Sequence, residues 1–394
     1  MPKKNKWNVQ SLFVHSGSGM DFSNIRTPNV PIYQTSNYLY NNVESGTDIQ
    51  LGKQPGYIYT RYSNPTVDAL NHVLADIEGG EAALSFNSGL AAISATILAY
   101  CKPGDHIVAS SLIYGGTYHL FQEQMGNLAI KTTFVDPTNL QEIEKSIKRY
   151  TRILYTEPLA NPTLVSSNIS QWAQIAHSSD SKLIVDNTFT PPPIFHPLNA
   201  GADIIIHSGT KYLGGHADLI GGAVIASKAD IEIIRPNLNF YGGIISPIIA
   251  WLLLRGIRTL GVRLEKQCRS ALKIAKFLEN HKNVEKVNYA GLPSNPQYVF
   301  NKDQFNGFSG MLSFVVKGGF EAAKRVMQKL ELIQFTVSLG DVSSLISHPA
   351  STSHVYLTPE ERVAIGVTDG LLRLSVGIES TEDLISDLDN ALLF

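Results

Sequence analysis

Short apolar runs alternate with helical patterns between residues 65 and 230, and this alternation most limits the folds open to the chain. Runs rich in β-branched and small apolar residues predict the strands "EAALSF", "HIVASS", "RILYTE", "KLIVDN", "ADIIIH" and "GAVIAS". Strands that alternate with helices form a largely parallel sheet with helices on both faces. The sequence therefore predicts an α/β fold.

The segments on either side of this region have different patterns. Residues 1–62 show little periodicity and are rich in polar residues and glycine, which predicts an arm that lies on another surface. Residues 63–255 form the predicted large domain. A long helical stretch begins near Ser246 and leads into residues 256–394, where strands such as "GMLSFVVKG" mix with helices such as "FEAAKRVMQKL" in an α+β pattern.

Composition excludes several classes of partner. The chain has 394 residues, 17% of them charged, and a net charge of -2, so a small molecule is a better expected partner than a nucleic acid. Only Cys101 and Cys268 are cysteines, which favours a reducing compartment such as the cytoplasm. The stretch "IIAWLLL" is too short to span a bilayer, so no membrane contact is expected. The cations after Ser246, including Arg263 and Arg269, are expected on a solvated face.

Lys211 lies in "IIIHSGTKYLGGH", in a small polar turn after an apolar run. Burying an ammonium is costly unless the group is paired or its pKa falls. Lysines in enzyme clefts can instead form Schiff bases with carbonyl compounds such as pyridoxal phosphate (PLP). Taken alone, Lys211 could equally extend its amine to water.

Polar residues follow two neighbouring strands at the edge where ligands of open α/β sheets bind. Asp186 ends "KLIVDN", and Asn161 follows "RILYTE". An aspartate in this position can keep a pyridine nitrogen protonated, as PLP chemistry requires. Each residue also has an ordinary structural explanation, because Asp186 could cap a helix and Asn161 could close the turn before Pro162.

A phosphate site is predicted at "FNSGLAAISATI". Ser88 and Gly89 begin a helix, and the free amides and dipole at a helix start attract a phosphate. The expected buried face of this helix is Leu90, Ile93 and Ile97. Ser208 and Thr210 flank Lys211, so both hydroxyls could face the same phosphate. A Ser-Gly helix start is common, and the signal is weak when taken alone.

Tyr114 ends "HIVASSLIY" and could stack on a cofactor ring, although an aromatic residue at a strand end more often packs in a core.

The motifs "HSGTKYLGGHADLIGGAV", "VDNT", "YTRYSNPT", "NSGLAAI", "LIYGGT" and "VSLGDVSSLISHPASTSH" together resemble the Cys/Met-metabolism family of PLP enzymes. This family includes cystathionine γ-synthase, the cystathionine lyases, methionine γ-lyase and homocysteine synthases. The resemblance runs from "PIYQTSNY" to "LLRLSVGIES". It implies PLP as cofactor and the PLP-dependent transferase-like fold (fold type I, similar to aspartate aminotransferase), a three-layer sandwich with a smaller C-terminal α+β domain.

The resemblance also implies roles for single residues. Lys211 matches the Schiff-base lysine, Asp186 the partner of the pyridine nitrogen, and Tyr114 the ring-stacking tyrosine, which is also a candidate proton donor to the leaving group. Arg373 and Ser338 match residues that hold the substrate carboxylate. The remaining cofactor positions are Ser88, Gly89, Leu90, Asn161, Ser208 and Thr210.

One segment of the sequence predicts contacts with a second copy of the chain. Tyr59 and Arg61 match residues that reach the phosphate bound by a neighbouring subunit, which implies a homo-oligomer, expected to be a tetramer. Tyr59 is also expected at the substrate.

His207, His216 and Asp218 could be taken as metal ligands. The resemblance instead explains "GHADL" as support for the lysine loop, and no cysteine joins them, so no metal is expected.

Within the family, Asp341 in "VSLGD" and the segment "ESGTDIQLGKQPGYIYTR" are most similar to methionine γ-lyase. The match is incomplete, because methionine γ-lyases usually have a cysteine at Gly116 and a Lys-Asp pair at Asn239 and Phe240. The resemblance implies a carbon-sulfur or carbon-oxygen lyase that performs α,γ-elimination on a sulfur-containing or homoserine-derived amino acid. A γ-replacement transferase, similar to O-acetylhomoserine sulfhydrylase or cystathionine γ-synthase, is the alternative. The set of Lys211, Asp186, Tyr114 and Arg373 disfavours a non-catalytic PLP-binding protein.

Overall fold

The apolar runs of the sequence form a seven-stranded sheet in the computed structural model, which describes residues 7–17, 27–355 and 357–393. Its strands are β1 Ala82–Phe86, β2 His106–Ser110, β3 Lys131–Val135, β4 Thr151–Thr156, β5 Lys182–Asp186, β6 Ile204–Ser208 and β7 Gly222–Ala226. They lie in the order β1-β7-β6-β5-β4-β2-β3. Strands β3, β2, β4, β5 and β6 are parallel, whereas β7 is antiparallel to both of its neighbours.

Strand β3 is the one strand of this sheet that the sequence pattern did not predict. Its sequence, "KTTFV", is mostly polar and its residues are only partly buried, because β3 is an edge strand. The six predicted strands are confirmed. Their side chains alternate between the two faces of the sheet, and each face is covered by a separate hydrophobic cluster.

Helices cover both faces of this sheet, which confirms the predicted three layers. The α-helices of the described residues are α1 Val9–His15, α2 Val43–Gln50, α3 Pro65–Glu78, α4 Gly89–Tyr100, α5 Gly115–His119, α6 Leu140–Ser146, α7 Ile169–Ser178, α8 Lys228–Tyr241, α9 Pro247–Ile257, α10 Leu260–Glu279, α11 Tyr298–Gln304, α12 Gly319–Lys329, α13 Pro359–Ala364 and α14 Thr381–Leu392. Helices α4 and α8 pack on one face, and α3 and α7 on the other. The proline-rich "TPPPIFHPLNAG" contains only a short 3₁₀ helix, Pro197–Ala200, as its composition predicts.

The C-terminal part forms a second, smaller sheet of five strands. They are β8 Val284–Asn288, β9 Met311–Val316, β10 Gln334–Phe335, β11 Leu345–Ser347 and β12 Leu371–Ser375, in the order β10-β11-β12-β9-β8. Helices α10, α12 and α14 pack against it or against one another, giving the expected α+β arrangement. The boundaries at residues 62 and 255 stay predictions, and residues 1–6 and 18–26 of the predicted arm lie outside the described residues.

The long helical stretch after Ser246 is two helices, α9 and α10, which corrects the sequence prediction. The chain turns at Arg258 and Thr259. A second correction concerns Arg263 in the first turns of α10, which is 3% exposed rather than solvated, whereas Arg269 further along the same helix is exposed and pairs with a glutamate. Among the described residues, no helix combines the length and the apolar character that crossing a membrane requires.

We expect Ile274→Ala to lower the free energy of unfolding by about 2–5 kcal/mol, because removing a buried aliphatic group leaves a cavity. Ile274 is fully buried on the inner face of α10. The neighbouring Lys273→Ala removes an exposed ion pair with Glu382 and should change stability by less than about 0.5 kcal/mol. Urea denaturation of both variants checks this, and equal losses would contradict the assignment of α10 to the core.

Candidate active site

Lys211 lies in the loop that follows β6. Its backbone N–H donates to the Ser208 carbonyl (3.2 Å), and its Nζ donates to the Ser338 hydroxyl (3.3 Å). Burial, assisted by the positive charge of Arg373, lowers the pKa of Lys211. The amine can therefore lose its proton more readily than an ordinary lysine and act as a nucleophile or base.

Arg373 on β12 is a buried cation that has no acidic partner in the part of the chain that the structure describes. It is 4% exposed; Nη1 donates to Asn161 Oδ1 (3.1 Å), and Nη2 donates to the carbonyls of Val337 and Ser338 (3.0 Å each). Its Nε is buried without a hydrogen-bond partner among the described residues. Burial lowers the pKa of Arg373 to about 10. A buried guanidinium in this state suits a carboxylate ligand, whose two oxygens match its fork of donors.

Two buried carboxyl groups lie at the ends of neighbouring strands. Asp186 ends β5 and accepts from the Thr188 N–H (3.1 Å) and the Tyr155 hydroxyl (3.3 Å). Glu157 directly follows β4 and accepts from the Tyr114 N–H (2.7 Å). Burial raises the pKa of Asp186, and burial together with the nearby Asp186 raises the pKa of Glu157. A protonated ring nitrogen of a bound cofactor would supply a positive charge beside the Asp186 carboxylate.

The start of α4 forms an anion cradle against β6 and β7. Ser88 is the N-cap, and its hydroxyl accepts from the helix N–H three residues on (3.1 Å). The first amides of a helix have no partner inside it, so those of Gly89 and Leu90 are available to an anion. A Cβ on Gly89 would lie 3.1 Å from Ser208, and one on Gly222 would overlap the Ser88 carbonyl. Only glycine permits so close an approach of helix and strands.

The structure corrects one detail of the phosphate prediction and leaves another untested. Leu90 is 38% exposed and not part of the buried helix face, because it lies in the first turn of α4 at the open end of the cradle. The Thr210 hydroxyl accepts from the Gly221 N–H (3.1 Å) and so braces the lysine loop. Whether Thr210 and Ser208 also reach a phosphate stays a prediction.

Tyr114 precedes α5, and its side chain is only partly buried. Its ring lies over Gly116: a Cβ on Gly116 would come 2.5 Å from Tyr114 Cε1 and 3.1 Å from its hydroxyl oxygen. Any side chain at position 116, a cysteine included, would force this ring to move. Gly116 therefore permits the observed placement of Tyr114.

Tyr59 and Arg61 lie apart from the other predicted site residues of the same chain. Arg61 Nη1 donates to the Asn239 carbonyl (3.2 Å), and its guanidinium lies 4.6 Å from the ring centroid of Tyr62. Tyr59 is 42% exposed. Within residues 27–355, no hydrogen bond or ion pair joins Tyr59 or Arg61 to Lys211. Their assignment to a neighbouring subunit's site stays a prediction.

Sequence reasoning missed Glu157, although the rule that found Asp186 would have found it, since both carboxylates lie at the ends of neighbouring parallel strands.

His207 contacts the buried carboxylate of Glu78 on the opposite face of the sheet. In the part of the chain that the structure describes, no three His, Cys, Asp or Glu side chains come together as metal ligands. A cavity of about 720 Å³ is lined by residues that include Asp136 and Asn288 and do not include Lys211.

Comparison with known proteins decides the family. The family model described as "Cys/Met metabolism PLP-dependent enzyme" matches residues 10–393. The chain belongs to this family. Pyridoxal phosphate is therefore the cofactor of this PLP-dependent enzyme, and both sequence predictions, family and cofactor, are confirmed.

Relatives of this PLP-dependent enzyme match it along almost its whole length. An L-methionine γ-lyase of Fusobacterium nucleatum subsp. polymorphum is 41% identical over 98% of both chains. A cystathionine γ-lyase of Bacillus subtilis (strain 168) is 41% identical over 97% of this chain and 98% of its own. The structure of a putative O-acetylhomoserine (thiol)-lyase from Campylobacter jejuni, with a pyridoxyl group on a lysine, superposes with a TM-score of 0.93, 34% identity and coverage of 98% and 100%.

The residues of the candidate active site fit this cofactor. Lys211 offers an amine whose pKa is lowered, Asp186 a buried carboxyl at a strand end, and the start of α4 a backbone cradle for a phosphate. These groups follow the carboxyl ends of β6, β5 and β1, which lie at the edge where open α/β sheets bind ligands.

We expect Asp186→Asn to stabilise the protein freed of cofactor, and more so as the pH rises. Because burial raises the pKa of Asp186, the stability of the folded parent falls as the pH rises through that folded pKa, whereas an amide does not titrate. The same variant should lower activity about 10²–10³-fold, since the charge partner of the cofactor is lost. Calorimetry across a pH series measures the first effect.

The exposed Asp303→Asn provides the matched control for Asp186→Asn and should show no growing gain with pH. A variant Asp186→Asn that is less stable than the parent at every pH would contradict the burial argument.

Proposed function

We propose that this chain is a carbon-sulfur lyase that removes the γ-substituent of a sulfur-containing or homoserine-derived amino acid. The Cγ–S bond breaks, the thiol leaves with a proton, and water converts the remaining carbon skeleton to 2-oxobutyrate and ammonia. The observation that carries this proposal is the placement of Lys211 and Arg373 around Ser338. The Ser338 hydroxyl accepts a hydrogen bond from Lys211, and the Ser338 carbonyl accepts one from Arg373. The names of the methionine and cystathionine γ-lyase relatives support the γ-position.

The proposed cofactor site uses residues from several elements. Lys211 would attach the cofactor, Asp186 would pair with its ring nitrogen, and Tyr114 would pack on its ring. The bound ring withdraws electrons and so stabilises negative charge at the substrate α-carbon. The phosphate and remaining cofactor contacts are assigned to Ser88, Gly89, Leu90, Asn161, Ser208 and Thr210, with Tyr59 and Arg61 of a neighbouring subunit.

Arg373 is proposed to bind the substrate carboxylate. Its unpartnered Nε and its buried charge favour an anion, while its bonds to Asn161 and to the Ser338 carbonyl fix the plane of the guanidinium. An α-amino acid held in this way has its amino end towards Lys211, because Ser338 contacts both side chains. The carboxylate thus orients the α-carbon.

Lys211 is proposed to take the α-proton on Nζ. The lowered pKa of Lys211 leaves the amine uncharged more often, and the Ser338 hydroxyl holds the amine in position. The same Nζ can carry the proton onward to a neighbouring carbon.

The Tyr114 hydroxyl is proposed to protonate the departing sulfur. The ring is free to approach a substrate because its side chain is partly exposed and Gly116 leaves space beside it. Glu157 holds the Tyr114 backbone in place through its N–H and acts as a positioning residue. Gly116 and the neutral pair Asn239 and Phe240 alter the surroundings expected for the γ-substituent, which supports methionine as a poor substrate.

Methionine, homocysteine, cystathionine and O-acetylhomoserine should release 2-oxobutyrate without an added thiol, with methionine a poor substrate. Lys211→Ala should lower kcat about 10²–10⁴-fold, because the general base is lost, whereas Lys131→Ala on the exposed edge strand should not. Assays of 2-oxo acids measure both. Pyruvate alone from cystathionine would indicate β-elimination and contradict the proposal, and turnover of O-acetylhomoserine only with thiol would establish the γ-replacement alternative.

We also propose that the chain forms a homo-oligomer, expected to be a tetramer, in the cytoplasm. Arm residues carry large exposed apolar side chains that a second copy can cover: Leu39 is 98% exposed and Val43 80%. Tyr59 and Arg61 follow them in sequence and lack a role in their own chain's site. Both cysteines are free thiols, which supports a reducing compartment.

Mixing Arg61→Ala subunits with Lys211→Ala subunits should restore part of the lyase activity, because a hybrid dimer holds one site with both residues intact. About a quarter of the sites would be complete if subunits exchange at random between two-chain sites. Native mass spectrometry shows whether hybrids form. Hybrids without any recovered activity would show that one chain supplies the whole site.

A further inference from the structure

Arg263 is a buried cation behind the loop that bears Lys211. It lies in the first turns of α10, is 3% exposed, and burial lowers the pKa of Arg263 to about 10. A positive charge near the start of a helix is also unfavourable towards the helix dipole. Among the described residues, no salt bridge to Arg263 within 4 Å offsets these costs, and Asp341 acts on its charge only from further away. Its hydrogen bonds must therefore account for its burial.

The guanidinium joins two segments of backbone. Nη1 donates to the Tyr212 carbonyl (2.9 Å), Nη2 to the Gly256 carbonyl in the last turn of α9 (2.8 Å), and Nε to the Thr259 hydroxyl (3.2 Å). Tyr212 directly follows Lys211. One planar group thereby ties the lysine loop, residues 209–216, to the turn between α9 and α10. A lysine could not satisfy these acceptors together, because its donors diverge from a single atom.

The lysine loop is also closely packed against other backbone. A Cβ on Gly256 would lie 2.7 Å from the Leu213 carbonyl oxygen, and one on Gly340 would lie 2.7 Å from the Tyr212 nitrogen. Gly215 has a φ of +72°, and the Arg263 guanidinium occupies the space where a Cβ would be. The loop thus has little room to shift while Arg263 is in place.

A second residue on the same face of α10 holds the segment that carries Ser338. Gln267, one turn beyond Arg263, is fully buried, and its Nε2 donates to the Asp341 carbonyl (2.8 Å). The Val342 N–H donates to the Gly215 carbonyl (3.0 Å), which joins this segment to the lysine loop. Two successive turns of one helix therefore set the separation between Lys211 and Ser338.

We propose that Arg263 is a positioning residue that, with Gln267, fixes the lysine loop against the segment bearing Ser338 and so places Lys211 Nζ for its chemistry. The inference rests on the proposed role of Lys211 as the cofactor lysine. Arg263 touches neither substrate nor cofactor in this assignment, and it acts on Lys211 through its contacts with Tyr212 and Gly215 of the lysine loop.

The test compares Arg263→Lys with Arg269→Lys, an exposed arginine of the same helix. In the holoenzyme, Arg263→Lys should lower kcat about 10- to 100-fold with little change in KM, because a displacement near 1 Å costs about that much rate. Borohydride reduces the carbon–nitrogen bond between lysine and cofactor, so mass spectrometry of the trapped peptide gives the fraction attached at Lys211. That fraction should fall in Arg263→Lys and stay at the parent value in Arg269→Lys.

Thermal unfolding separates positioning from general stability. Arg263→Lys should stay folded at the assay temperature with a thermal midpoint below that of the parent, because a lysine leaves some of these buried acceptors without a donor. In Arg263→Ala, added guanidinium ion should restore part of the attached fraction, whereas methylammonium should not. Gln267→Leu, which removes the bond to the Asp341 carbonyl, should reproduce the loss seen in Arg263→Lys.

Each other outcome overturns the inference. Parent values of kcat and attached fraction in Arg263→Lys would show that the loop needs no guanidinium. If the variants at Arg263 and Gln267 are unfolded, and guanidinium ion does not restore the attached fraction, these two residues serve the fold alone. The two proposals fail separately: label on a lysine other than Lys211 in the parent protein refutes the proposed site, whereas label on Lys211 with no effect of Arg263 refutes only this inference.

Discussion

The hydrogen bond from Lys211 Nζ to the Ser338 hydroxyl joins the two sheets of the molecule at one point. Lys211 follows the last parallel strand of the large sheet, and Ser338 lies between two strands of the small one. Neither sheet alone contains a site. Arg373, on the small sheet, reaches Asn161 beside the large sheet and repeats the same connection a short distance away. The chemistry therefore depends on how accurately the two sheets are held together.

Two buried arginines differ in how the loss of hydration of their charge is compensated. Arg263 uses all three of its nitrogen atoms on groups of its own chain. Arg373 keeps one nitrogen without a partner and faces no acid among the described residues, so its charge is compensated only when an anion binds. The same residue type thus has all of its nitrogens paired in one place and one nitrogen left over in the other, and this leftover donor supports the proposed role of Arg373 in binding a carboxylate.

Much of the fold follows from local sequence, because a buried strand must be apolar over its whole length. That requirement identified six strands of the large sheet, and it missed β3 because an edge strand can keep threonine and lysine at its surface. Lys211, Asp186 and the start of α4 were also visible, since each breaks an apolar pattern at a strand or helix end. The position of α10 depends on contacts between distant segments. No local pattern distinguishes Arg263 from Arg269, although one is buried and the other exposed.

The anion cradle at α4 is made almost entirely of main chain. A side chain on Gly222 would collide with the Ser88 backbone and one on Gly89 would crowd Ser208, and the donors are peptide N–H groups, which every residue except proline carries. Substitution of side chains around the cleft would therefore leave these main-chain donors in place. In evolutionary terms, an anion site of this kind depends on the shape of the backbone, so the side chains around it are free to diverge.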